Sequence, residues 1–94
     1  MATKVLISGI TGKMGLEAVG AVCRETGLEL VGGTCAQDRG PTLATPSGDV
    51  ALSTDLESLL KETKPDVMLD LTSAAVAMNA AAQAAVRKVN IVMG

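Results

Sequence analysis

Short solid apolar runs alternate along the chain with longer stretches in which apolar residues recur every three or four positions. Residues 3–8, TKVLIS, are β-branched and apolar and end at Gly9, which predicts a buried strand. Over residues 13–26, Met14, Ala18 and Val22 lie beside Leu16, Val19 and Cys23 at helical spacing. That pattern predicts a helix with a broad apolar face, stopped by Gly27. Residues 28–33, LELVGG, predict a second strand, and the polar stretch 34–49, punctuated by Gly40, Pro41, Pro46 and Gly48, predicts a loop. Val50, Ala51 and Leu52 form a short strand candidate. Thr54-Asp55-Leu56-Glu57 has the capping-box pattern, with Thr54 as cap and Glu57 reaching back, and opens a helix to about Lys64. Residues 66–71, after Pro65, predict another strand. Thr72 and Ser73 are placed to cap an alanine-rich helix running through Lys88, with Arg87 and Lys88 in the last turn, where the helix dipole favours cations. Residues 90–93 predict one more strand.

Strands alternating with helical segments imply βαβ units and a parallel sheet. Right-handed crossovers make that sheet the opening part of an α/β, Rossmann-type doubly wound fold. Residues 1–94 read as one domain, with no repeat, low-complexity tract or linker.

The stretch SGITGKMG, residues 8–15, lies between the first strand and the first helix. Glycines after a strand and before a helix predict a phosphate cradle, with an ordinary turn and a solvated first-turn Lys13 as the alternative. Gly9 permits the tight turn, Gly12 lets the backbone approach a pyrophosphate, and Gly15 lets the helix lie close to the sheet. Free amides at the helix start attract an anion, and Lys13 adds a full positive charge.

Composition trims the alternatives. The 94 residues are 48% hydrophobic, enough for a core, with a net charge of −2 from interspersed acids and bases. No basic stripe and no stacking aromatic argues for nucleic acid. The apolar runs fall well short of a membrane span, and the first residues lack a secretory pattern, so a soluble cytoplasmic protein with free thiols is expected. Phe, Tyr, Trp and His are all absent. No histidine can therefore serve as acid, base or ligand, and the two cysteines lack metal-ligand spacing. Cys23 reads as core and Cys35 as able to be exposed, with nothing beside it to mark a nucleophile. The five methionines read as gap-fillers in a core without rings. Asp70 could be imagined as a general base, but an acid at a strand end more often caps or pairs with backbone amides.

Three stretches together carry a family resemblance. Gly9-Ile10-Thr11-Gly12-Lys13-Met14-Gly15 resembles the cofactor turn G-x-x-G-[RK]-M-G of dihydrodipicolinate reductases. Asp70-Leu71-Thr72 resembles their D-[FY]-T, and Ile91-Val92-Met93-Gly94 resembles the strand ending V-x-G that leads into T-T-G. The resemblance implies an enzyme of lysine and diaminopimelate biosynthesis, two-domain and usually homotetrameric. It would pass hydride from NADH or NADPH to a cyclic dicarboxylate. It further implies that Gly9, Ile10, Thr11, Gly12, Lys13 and Met14 meet the pyrophosphate, that Thr72 lies beside the nicotinamide ribose, and that Gly94 begins the loop at the nicotinamide. Cys35 stands where the family often has an acid for the adenosine ribose, followed by Ala36, Asp38 and Arg39. With no carboxylate there to repel a 2′-phosphate, and Arg39 able to pair with one, NADPH is favoured over NADH; a solvated loop is the alternative for Asp38 and Arg39. The family's histidine-rich substrate motif and catalytic lysine fall beyond this chain, so no catalytic residue is assigned and the chain alone is expected to be inactive. Three alternatives stay open: another NAD(P)-dependent reductase with a similar turn, a noncatalytic nucleotide-binding fragment, and a purely structural half-sheet.

Overall fold

The computed structural model describes residues 2–72 and 74–93. The elements are β1 (Thr3–Ser8), α1 (Lys13–Arg24), β2 (Leu28–Thr34), β3 (Thr42–Thr45), β4 (Gly48–Ser53), α2 (Leu56–Thr63), β5 (Val67–Asp70), α3 (Ala74–Val86) and β6 (Asn90–Met93). They build a six-stranded sheet in the order β3-β4-β2-β1-β5-β6, parallel throughout except for the β3–β4 pair. The chain steps one way from β1 to β2 and the other way from β5 to β6, so the topology reverses between β1 and β5. In open α/β sheets a crevice forms at that reversal, beyond the carboxyl ends of the strands.

The central strand has no polar face because helices cover both sides. Val5 and Ile7 of β1 point into a core with Val19 and Val22 of α1, whereas Leu6 points the other way, against Leu59 and Leu60 of α2 and Ala80 and Ala84 of α3. Met68 of β5 joins the second cluster. The largest fully buried apolar side chains are Leu6, Ile7, Ile10, Leu59 and Met68, so the interior is aliphatic throughout.

Five expectations from the sequence need correction. The stretch expected as a loop contains β3, which pairs antiparallel with β4 through a turn at Pro46 and Ser47. Thr45 closes that turn, its hydroxyl accepting from the Ser47 amide and donating to the Gly48 carbonyl, and Gly48 takes φ +108. Helix α1 stops at Arg24, two residues short of expectation, where the Glu25 amide turns back to the Val22 carbonyl. Its buried stripe is also narrower: Gly15, Val19 and Val22 face inward, while Met14 and Leu16 are 57% and 62% exposed. The cap of α2 is Asp55 and not Thr54. Its carboxylate accepts from both the hydroxyl and the amide of Ser58, and these bonds hold that carboxyl below the ordinary value. Finally, α3 ends at Val86, so Arg87 and Lys88 lie beyond it; Arg87 reaches Glu57 of α2 at 3.6 Å. Lys64 and Lys88 turn the chain after α2 and α3 with φ +47 and +58, where the sequence offers no glycine. The capping role expected of Ser73 lies outside the described residues.

Candidate functional site

The loop from β1 to α1 is held from the neighbouring strand. Thr34, the last residue of β2, accepts the Gly9 amide on its hydroxyl (3.0 Å) and the Ile10 amide on its carbonyl (2.9 Å). The same hydroxyl donates to Ser8 at 3.3 Å. Gly9 turns the chain with φ +84, a conformation that favours glycine. The Gly12 amide then closes on the Gly9 carbonyl at 3.2 Å.

Gly12 is the cap residue of α1, with no side chain to offer the helix, and the first turn carries no acid. The amides of Lys13, Met14 and Gly15 have no intrahelical carbonyl to bond, so the helix presents donors and its positive end together. Lys13 is exposed beside them. A Cβ on Gly12 would meet only the Gly9 carbonyl, at 3.4 Å, so the outer face of the turn is open. Gly15 is the opposite case, because a Cβ there would stand within 2.5 Å of the Gly9 carbonyl oxygen. The helix lies that close to the strand end.

Ile10 separates from its motif neighbours. Its side chain is fully buried in the α1-side core, and its amide is already bonded to Thr34. It packs against Gly33, where an added Cβ would come within 2.5 Å of the isoleucine Cβ. Gly33 thus helps shape the turn from beneath, a part that the reading of LELVGG as a strand did not assign.

At the reversal point a cavity of about 480 Å³ opens over the ends of β1, β2, β4 and β5. Its lining includes Gly9, Cys35 and Ala36 together with Leu56, Asn79 and Gln83. Cys35 is 6% exposed, which corrects the expectation of an exposed thiol. It packs into the core next to β4, its sulfur 3.8 Å from the Ser53 carbonyl. Ala36, directly after it, is the exposed residue at that corner. Asp38 accepts from the Gly40 amide at 2.9 Å, and Arg39 is exposed on the same loop, outside the cavity lining.

Thr72 also borders the cavity. Its amide and hydroxyl both donate to Asp70 Oδ1, at 2.9 and 2.5 Å. Asp70 is 2% exposed and ends β5 in register with Ser8 of β1. It pairs with a backbone amide, as an acid at a strand end commonly does, and its carboxylate fixes the turn that carries Thr72. A Cβ on Gly9 would lie 3.1 Å from the Thr72 methyl, so the glycine turn and the β5 end are in contact. Gly94 lies outside the described residues. Among those residues no group of three or more His, Cys, Asp or Glu could hold a metal, and no helix is long and apolar enough to cross a membrane.

The parallel strand order with its reversal, and the glycine turn leading into an uncapped helix, define a Rossmann-type α/β domain. A Rex-family repressor solved in complex with β-NADH shares this fold, with a TM-score of 0.77 at 18% identity, covering 98% of this chain and 45% of that one. The chain belongs to the dihydrodipicolinate reductase family, whose amino-terminal model (Dihydrodipicolinate reductase, N-terminus) matches residues 3–94. It is 44% identical over 93 residues to the 4-hydroxy-tetrahydrodipicolinate reductase of Dehalococcoides mccartyi, covering 97% of this chain and 35% of that protein. The solved dipicolinate-bound dihydrodipicolinate reductase of Paenisporosarcina sp. TG-14 superposes with a TM-score of 0.83 at 34% identity, covering 100% of this chain and 37% of that one. The chain therefore spans about a third of the length of the relatives it matches.

Proposed function

We propose that this chain binds NADPH or NADH for a 4-hydroxy-tetrahydrodipicolinate reductase, holding the dinucleotide across the glycine turn and the adjoining cavity. The uncapped start of α1, open on its outer face at Gly12 and preceded by Gly9, which borders the cavity, carries the reading. Gly9 and Thr11 shape the loop, Gly12 leaves room for a pyrophosphate, and the Lys13 and Met14 amides donate to it. The Lys13 ammonium adds charge at the same place. Ile10 contributes by filling the core beneath the loop and keeping the turn rigid. Thr72, anchored by Asp70, faces the ribose on the nicotinamide side, and Gly94 follows the last strand toward that ring.

On the adenosine side, Ala36 and Cys35 offer no carboxylate to repel a 2′-phosphate, and exposed Arg39 is available to pair with one. That supports NADPH over NADH. When bound, the nicotinamide supplies a hydride; this chain's own residues bind and orient it. The acceptor would be the family's cyclic dicarboxylate, met by groups elsewhere in a homotetrameric protein, so the 94-residue chain binds without turnover.

Gly12→Val tests the cradle. The new side chain projects into the open face of the turn, where little of the core depends on it. Calorimetric titration with NADPH is expected to show affinity reduced by at least about tenfold, or about 1.4 kcal/mol, with an unchanged circular dichroism spectrum. A variant that binds NADPH as tightly as the parent removes the basis for this function.

A further inference from the structure

Helix α3 is almost entirely apolar, yet it carries two carboxamides one turn apart, Asn79 and Gln83, and both border the cavity. Among the described residues the Gln83 Oε1 is buried and has no hydrogen-bond partner. Buried side-chain oxygens are nearly always paired, so one left open at a cavity wall marks a place for a ligand donor. The same lining includes two apolar residues, Leu56 at the start of α2 and Ala80 between the two carboxamides, beside Thr54 and Asp55. Apolar side chains in a cavity lining suit the faces of a flat heteroaromatic ring, and a carboxamide suits its polar edge.

We infer that Gln83 reads the base of the dinucleotide as adenine, an assignment that rests on the dinucleotide reading above. A carboxamide offers one acceptor and one donor side by side. Adenine matches that pair with its exocyclic amine and a ring nitrogen, the same bidentate match by which Gln and Asn select adenine in DNA. Hypoxanthine carries a carbonyl oxygen in place of the amine, so the edge it forms with N7 presents two acceptors and the Gln83 oxygen has no donor to meet. The cradle at Gly12 is indifferent to this change, because it meets only phosphate.

The test compares NADPH with its hypoxanthine analogue by calorimetry, on the parent chain and on Gln83→Leu and Gln83→Met. The parent is expected to prefer the adenine form by roughly tenfold. Both variants are expected to bind the two forms alike, at the affinity that the parent shows for hypoxanthine. Methionine matches the length of glutamine and keeps the apolar packing, so it guards against a variant that fails to fold. A parent that binds both forms equally overturns the role of Gln83 and leaves the dinucleotide reading standing, as does a preference that survives in a folded Gln83→Met. A parent that binds neither form overturns both.

Discussion

Gly15→Ala is expected to destabilise the domain by about 3 kcal/mol or more, a large share of the roughly 5–15 kcal/mol that holds a protein of this kind folded. By helix propensity alone the change is favourable, since alanine is better than glycine inside a helix by about 1 kcal/mol. The structure reverses that sign. The added Cβ falls within 2.5 Å of the Gly9 carbonyl oxygen and against the backbone carbonyl of Ile10. Neither group can retreat, because both amides of that dipeptide are bonded to Thr34. Relief requires α1 to lift from the sheet, which uncovers Val19 and Val22. Urea unfolding followed by circular dichroism reads the result, and an alanine variant as stable as the parent would show that helix and strand end do not meet as described.

Ile10→Ala is expected to cost about 2–5 kcal/mol of stability. The side chain is fully buried and fills the space that Gly33 leaves above β2, so its loss opens a cavity that the pinned turn cannot collapse into. Dinucleotide affinity of the folded variant is expected to stay within about threefold of the parent, a change of under 1 kcal/mol. The same urea titration, paired with calorimetry on the folded variant, separates the two effects. A variant with parental stability and no binding would return Ile10 to the pyrophosphate contacts.

These two residues also show where the sequence was legible. The glycine pattern announced the strand, turn and helix, because close approach leaves few residue types to choose from. It does not say which loop residue turns inward, so Ile10 reads as part of the cradle although its side chain is core. Strands β1, β2 and β5 stood out as solid apolar runs because helices bury both their faces. Strand β3 did not, since TLAT is short and lies between Pro41 and Pro46. At α2 two good capping residues stand side by side, and only the bonds from Ser58 to Asp55 decide between them. Gln83 had a signal that periodicity ignores, because it and Asn79 are the polar exceptions in the helix AAVAMNAAAQAAV. The pairing of Asp70 with the Thr72 amide followed from ordinary strand-end chemistry.

An interior with no aromatic ring makes these 94 residues optically blank. The chain has no phenol or indole to absorb in the near ultraviolet and no tryptophan to fluoresce, and its two cysteines are free thiols with no disulfide band. Its concentration has to be taken from peptide absorbance or amino-acid analysis, and its unfolding from the backbone signal. In exchange, light emitted by a reduced nicotinamide in its presence is free of protein emission and of energy transfer from indole. A change in the colour or intensity of that emission on mixing would report the surroundings of the ring alone.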